Sequence, residues 1–508
     1  MGNPSKSSYR RRLPDEYEFS APEEYLNRMG AEKKIENEYR NDFMRDRDRV
    51  LYSSAFRRMA GKTQIYLTGT DDHCRNRLTH TLEVSQIART IAKALRLDEN
   101  LTEAIALAHD LGHTPFGHAG EQRLHEIMTF NSPINNKGSI TESPFRKISD
   151  REYAGSFGFK HNLQGVRVTA KLEDAYGDFG LNLTNYTLWG IAHHSNMEYR
   201  KGTFKNMSEA PDYLQCFEKY MCHGDGIHEA WSFEAFVVRE ADEIAQWHHD
   251  MEDALYSRAM TPKGVCSAIQ NQLEPFLNDE ESAELEKIKK SFEYVAAQSR
   301  VDKKVLATLS HTVVDALVTR LVLASRQNLQ YLWEHYVLDD SKYKRGNAYL
   351  FFQNNCHKPM PGSNNIVIEK AIGYQVFSQT DKGIQASLRG YPSTIRTHIH
   401  HSKEVECMNA KGQYIIKKLF EAYSSHPQQL PTSVIIRFLK DIGKEEELLK
   451  AEKDGIGAVR TMFDKEIEAR SEGKYDKERD ICLMRNICDH IASMTDRYAL
   501  KEYEKLYG

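Results

Sequence analysis

Residues 109–121 read His-Asp-Leu-Gly-His-Thr-Pro-Phe-Gly-His-Ala-Gly-Glu, three histidines and two acids in one short stretch. A neutral imidazole and a carboxylate on consecutive residues, here His109 and Asp110, can both ligate one divalent cation. A lone His-Asp pair is usually a surface feature. This one follows Ile105, Ala106, Leu107 and Ala108. A carboxylate buried behind such a run requires a cation or a close hydrogen-bond partner. One helix end supplies only two ligands, so others must come from elsewhere. His80 opens an earlier apolar-periodic stretch, and Asp242 lies among Val238, Arg239, Ala245 and Gln246 at helical spacing. Taken alone, Asp242 reads as a salt bridge or a solvated acid. His118 and Glu121 are three residues apart, so within one helical turn the carboxylate can orient the imidazole. An imidazole with a reference pKa of about 6.5 exchanges protons near neutrality. Arg57, Arg58 and Arg77 can offer cationic donors to an anionic ligand.

Helices must position these groups. Leu78, Leu82, Ile87, Ile91 and Leu95 recur at four- and five-residue steps, an amphipathic pattern. Leu101, Ile105 and Ala108 continue it and stop at Gly112. Thr184–Ala192, Phe233–Leu255, Val305–Leu338 and Gly412–Tyr423 also read as helices, and Asp480–Leu506 as one long last helix. Short strands are expected around Gln64–Leu67 and Asn365–Glu369. The fold class is therefore all-α, mostly helical with a few short strands. Asn131–Gly158 and Asn347–Asn364 are rich in turn formers and read as loops or insertions. The expected organisation is an N-terminal arm over 1–40, partly disordered, then a core over 41–340 with an insertion near 131–158. A C-terminal helical region over 341–508 would complete the substrate site and the oligomer contacts.

Composition narrows the classes. At 508 residues and 40% hydrophobic, the chain can bury a core without staples. No stretch approaches the ~20 apolar residues of a membrane span. The start, with Arg10, Arg11 and Arg12, has no apolar segment of the secretory kind. Eight scattered cysteines form no close pairs of the zinc type; they read as free thiols in a cytoplasmic protein. A net charge of −4 does not steer the whole molecule toward nucleic acid. An anionic substrate would need a locally basic pocket.

The ordered set His80, His109-Asp110, Asp242 resembles the pattern that names the HD superfamily. More closely, the chain resembles bacterial dGTPases and related dNTP triphosphohydrolases. Asp46-Arg47-Asp48-Arg49-Val50, Ser54–Met59 and Lys62–Ile65 are similar to that family's N-terminal block. Thr79–Val84, Ala108–Glu121 and Phe159–Arg167 follow in the family's order. Glu404–Pro431 and Ser493–Ala499 resemble its C-terminal blocks.

The resemblance implies an HD-domain helical core. It also implies cleavage of a dNTP to deoxynucleoside and inorganic triphosphate, by attack at the α-phosphorus. His80, His109, Asp110 and Asp242 would hold one Mg²⁺ or Mn²⁺ ion, which would polarise a phosphoryl oxygen. His118 and Glu121 would be the catalytic pair, Arg77 a phosphate contact and Gln64 a contact to the sugar 3′ hydroxyl. His113 and His161 would line the phosphate site. His113 also reads as a helix C-terminal cap, and Arg77 as a helix-start salt bridge. Hexamers or tetramers, and a nucleotide or single-stranded DNA effector, are further implications, with no residues assigned.

Two positions depart from the family pattern. Gln246 stands where a tyrosine usually packs on the deoxyribose, so selection against ribonucleotides is expected to be looser. His193-His194 replaces a lysine followed by an aromatic residue or histidine. His249-Asp250 reads as packing behind the ligands, two turns after Asp242. His398, His400 and His401 read as a solvated loop, and Lys342–Arg345 as a solvated face. The competing functions are another HD phosphohydrolase, either a 5′-nucleotidase or a nucleotide phosphodiesterase, and a catalytically silent nucleotide-sensing scaffold.

Overall fold

The computed structural model describes residues 19–21, 26–32, 39–64, 75–128, 158–195, 231–273, 282–283, 286, 290, 303–334, 368–374, 395–399, 401–471 and 477–508. Among them the regular structure is helical. The helices are α1 (Asp42–Tyr52), α2 (Ser54–Arg58), α3 (Arg77–Leu95), α4 (Glu99–Ala108), α5 (Gly117–Met128), α6 (His161–Arg167), α7 (Asn185–His193) and α8 (Phe233–Tyr256). They continue with α9 (Pro262–Leu273), α10 (Lys303–Leu332), α11 (Lys403–Ser425), α12 (Thr432–Asp441), α13 (Glu445–Asp454), α14 (Ile456–Ser471), α15 (Lys477–Ala492) and α16 (Asp496–Tyr507).

Polar side chains mark the helix starts. Asn76 accepts from the Thr79 amide, Asp98 from Asn100 and Leu101, and Ser232 from Ala235. Each satisfies amides that have no partner inside the helix. Thr495 caps α16 in the same way, accepting from the Tyr498 amide at 3.2 Å. The long last helix expected over Asp480–Leu506 is therefore two helices, broken at residues 493–495. Apolar periodicity runs through that break, whereas the capping threonine marks it.

Strand pairing is confined, among the described residues, to two isolated bridges, Arg28 with Thr184 and Thr63 with Asn76. Of the strand expected at Gln64–Leu67, residues 65–67 lie outside the described residues. The other expected strand ends, at Ile368–Glu369, in a 3-10 turn, Ile368–Lys370. The 131–157 insertion, residues 347–364, His400 and Lys342–Arg345 also lie outside them. His398 is exposed, and the side chain of His401 is 73% exposed.

Buried apolar residues form two clusters. The first joins α1, α3, α4, α6, α7, α8 and α10, with Phe43, Val84, Ile105, Trp189, Phe236 and Leu317 among its members. Phe19 lies in the stretch expected to be an arm. It is nonetheless buried, with its ring edge-on to Phe233 and Trp333. Asp46, from the motif Asp46–Val50, is a buried pin rather than a chemical group. It accepts from Thr184 Oγ1 and Thr187 Oγ1, both at 2.6 Å, and pairs with Arg28 at 2.6 Å. The second cluster joins α11 to α16. It also takes in Phe116, Phe159 and the apolar face of α5, through Leu124, Ile127 and Met128. The helix that follows the His-Asp turn therefore has its core among the C-terminal helices.

Candidate active site

The site lies where these clusters meet. α3, α4 and α8 pack together in the first and bring His80, His109-Asp110 and Asp242 to one place. His80 Nε2 is 2.9 Å from Asp242 Oδ1 and 4.0 Å from Asp110 Oδ2. His109 Nε2 is 3.6 Å from Asp110 Oδ1 and 3.8 Å from Asp242 Oδ1. His109 donates its Nδ1–H to the carbonyl of Ala106 at 2.6 Å. That bond leaves a lone pair on Nε2, which is buried without a hydrogen-bond partner. Two imidazoles and two carboxylates converge, and one orphaned nitrogen points among them. The donors of His80, His109 and Asp110 lie within 4.8 Å of one another, a spacing that can hold a metal ion. This donor set suits a divalent cation.

Electrostatics agree. Burial opposes ionisation of Asp110, but Arg77, His113 and His109 outweigh it and hold the carboxyl well below its usual range. Burial also opposes ionisation of Asp242; His80 and His109 prevail and keep it low. In the same way burial lowers His80, but the Asp242 carboxylate more than compensates, and its pKa is raised.

His118 and Glu121 sit on the first turns of α5. His118 Nδ1 is 3.1 Å from Glu121 Oε2, and the His118 side chain is 62% exposed. Glu121 is buried, yet His161 and His118 outweigh burial and hold it well below the usual range. Its other oxygen accepts from the His161 amide at 3.0 Å and from His161 Nδ1 at 2.9 Å. His161 Nε2 lies 3.3 Å from His194 Nε2. His194 donates its Nδ1–H to the Ile191 carbonyl at 2.7 Å. His113 stacks on His161 with ring centres 3.9 Å apart, and its Nε2 is 3.1 Å from Asp110 Oδ1. Burial and Arg77 push His113 well below its ordinary value, and burial with His109 and His161 takes His194 down to about 3. Both are neutral at pH 7.

Two glycines make the turn possible. A Cβ on Gly112 would stand 2.0 Å from the His161 carbonyl oxygen, so only glycine lets α6 approach. Gly117 has φ +58, a left-handed conformation that glycine adopts without strain. Phe116 beside it also has positive φ, 62°, which is costly for an aromatic residue. Asp496 at the start of α16 holds this backbone. It accepts from the Phe116 amide at 2.9 Å, from the Thr63 amide at 2.9 Å and from the Thr63 hydroxyl. Lys62 crosses the same seam, donating to the carbonyls of His113 and Ala492. Burial, with Arg58 and Arg77 nearby, pushes its ammonium down to about 7.

The remaining expected contacts divide. Arg77 pairs with Asp110 Oδ2 at 2.8 Å, while its Nε and Nη2 are buried without hydrogen-bond partners. Gln64 leaves Oε1 buried and unpartnered. Arg58 pairs with Glu173, and Arg57 is exposed and donates to the Tyr52 carbonyl. His193 stacks on Trp189, whereas His194 joins the site. Gln246, one turn beyond Asp242, is half-buried. Sequence reasoning gave no place to Asp496 beyond a family block, nor to Glu83. No local pattern identifies such partners, because their contacts join positions 166 to 433 residues apart.

The HD domain profile matches residues 77–275, and the phosphohydrolase-associated domain profile matches 458–505. The chain is 30% identical to the deoxyguanosinetriphosphate triphosphohydrolase-like protein of Bartonella quintana (strain Toulouse), over 92% of this chain and 90% of that one. It is 30% identical to the protein of that description from Bartonella tribocorum, over 96% and 94%. The chain belongs to the dGTPase-type HD family. Its relative from Bordetella pertussis is 29% identical over 96% of this chain and 95% of its own. The HD profile spans all four cradle residues and the His118–Glu121 pair, and the associated profile includes Asp496. This chain is thus a phosphohydrolase by family, with a metal-fitting cluster in its matched domain. No helix among the described residues is long and apolar enough to cross a membrane.

Proposed function

We propose that this protein hydrolyses deoxynucleoside triphosphates, dGTP or several dNTPs, to deoxynucleoside and inorganic triphosphate, and so controls dNTP pools. The observation that carries the reading is the orphaned His109 Nε2 within the His80–Asp110–Asp242 cradle, beside a hydrogen-bonded His118–Glu121 pair. His80, His109, Asp110 and Asp242 would hold one Mg²⁺ or Mn²⁺. When bound, such an ion supplies Lewis-acid polarisation of a phosphoryl oxygen.

The chain's own residues do the rest. Water adds at the α-phosphorus, the bond from that phosphorus to the sugar 5′ oxygen breaks, and the 5′ oxygen takes a proton. Glu121 is an ionised acceptor, so His118 carries a proton on Nδ1 and turns Nε2 outward to exchange a proton with that oxygen. Arg77, whose Nε and Nη2 are unpartnered donors, suits the triphosphate oxygens, and His161 borders them. His113 lines the same space, and Gln64 Oε1 is an acceptor for the sugar 3′ hydroxyl. Cytoplasmic location and a homo-oligomeric state belong to the same reading.

The test is incubation with each dNTP and Mn²⁺, singly and in mixtures, with products resolved chromatographically. Inorganic triphosphate is the expected product. Orthophosphate released instead from a deoxynucleoside monophosphate supplied in parallel would point to a 5′-nucleotidase, a linear dinucleotide from a supplied cyclic dinucleotide to a phosphodiesterase, and no turnover of any of them to a silent sensor.

A further inference from the structure

Behind His80 lies a polar cluster outside the four-ligand set. His249, on α8, is buried, and its Nδ1 is 3.2 Å from His80 Nδ1. Its Nε2 contacts Glu83 Oε2 on α3. Arg75 braces Glu83, with Nε 3.2 Å from Oε1, and His248 Nδ1 is 3.5 Å from Oε2. Arg75 also pairs with Glu252 at 2.5 Å, and Glu252 accepts from Ser310 Oγ at 2.7 Å.

The cradle dictates the order of protons in this chain. A neutral imidazole has one proton and one lone pair. A cation held by His80 Nε2 requires the lone pair there, so the proton sits on Nδ1 and is donated to His249 Nδ1. His249 then accepts at Nδ1, carries its own proton on Nε2 and donates it to Glu83. The reverse order would place a proton on His80 Nε2, facing Asp242, and block the cation. An ionised carboxylate can only accept, so Glu83 selects the first order. We propose that Glu83 and His249 are positioning residues that hold His80 in its metal-binding tautomer. His109 obtains the same result from the Ala106 carbonyl, which no side-chain change removes. Metal-bound histidines commonly donate their second N–H to a carboxylate, and loss of that partner costs about 10–100-fold in metal affinity. Here a second imidazole is interposed. The cluster's own His248, His249 and Glu83 have metal-like spacing, but the Arg75 cation on Glu83 opposes a second ion there.

The inference rests on the metal reading above, and the experiment separates the two. Mn²⁺ is titrated into the full chain, with free ion followed by electron paramagnetic resonance and the melting temperature of each metal-free variant measured. The unaltered protein should bind one ion that Asp110→Ala loses; failure of either result overturns the metal reading and the relay with it. Given that ion, Glu83→Ala should weaken Mn²⁺ binding about 10–100-fold, while the metal-free variant still unfolds in one cooperative transition. His249→Ala should do the same, and the double variant should be no weaker than His249→Ala alone, because Glu83 acts only through His249. Unchanged affinity in Glu83→Ala overturns the relay alone. So do multiplying losses in the double variant, or a second Mn²⁺ that disappears with Glu83→Ala. If His249→Ala does not fold, Glu83→Ala decides by itself, since the Glu83 side chain is 36% exposed and leaves no core cavity.

Discussion

The cation cradle and the His118–Glu121 pair share one site but are held by different cores. The cradle residues come from α3, the end of α4 and α8, whose apolar faces belong to the first cluster. The pair sits on α5, whose apolar face belongs to the second. The groups that would bind a cation are therefore set by the packing of the HD helices. The pair proposed for proton transfer is set by the C-terminal helices. Between them run Lys62, the Asp496 contacts and the buried Arg167–Asp489 pair at 2.7 Å. Misalignment of the two cores would leave each half intact and the site broken.

The sharpest contrast is between Asp110→Ala and His118→Ala. The first should abolish turnover and also remove the stoichiometric Mn²⁺, measured together by activity and metal titration. The second should keep metal and substrate binding while kcat falls about 10²–10⁴-fold. If His118→Ala lost the ion as well, the two halves would not be separable.

Next in size is the seam. Asp496→Ala leaves the Phe116 amide, the Thr63 amide and the Thr63 hydroxyl without their buried acceptor. An unsatisfied buried polar group costs about 1–3 kcal/mol. A lower melting temperature is expected, with kcat reduced and Mn²⁺ affinity kept. A variant with unchanged kcat would show that α5 needs no anchor on α16.

Gln246→Tyr probes the cradle side, one turn beyond Asp242. An aromatic ring there should raise the dNTP-to-NTP ratio of kcat/KM, because steric rejection acts on the competitor more than on the substrate. If the parent already rejects GTP and the variant is unchanged, selectivity lies elsewhere.

The smallest effect concerns pH, and the cores should respond in opposite directions. Burial in the first pushes Glu234 up to about 7, although it accepts from the Ala21 and Asp98 amides. The folded state then holds more protons than the unfolded between about 4.5 and 7, so this contribution is full below 4.5 and is lost as pH rises to 7. In the second core burial takes His490 down to about 4. There the unfolded state holds more protons, and stability is lost as pH falls from about 6.5 to 4. Each is worth at most about 3.5 kcal/mol, at about 1.4 kcal/mol per pKa unit. Glu234→Gln should remove a fall in melting temperature between about pH 4.5 and 7, and His490→Gln a rise between about pH 4 and 6.5. An unaltered profile in either variant would remove that residue from the account.

The sequence by itself determined the helical class and most helix positions, and it singled out the His and acid side chains that the fold brings together. Apolar spacing reports which face of a helix is buried, and the His-Asp turn behind an apolar helix end is a local feature. The same spacing could not reveal the break at residues 493–495, since hydrophobic period continues through it and the cap depends on one threonine hydroxyl. Nor could it show that α5 packs against the C-terminal helices. Local pattern gives the direction of a helix face but not the face that covers it. Asp496 and Glu83 were legible only as members of similar blocks. Their contacts to Phe116 and His249 join positions 380 and 166 residues apart. Only tertiary packing decided those contacts, because an acid takes its meaning from the donors that folding brings to it.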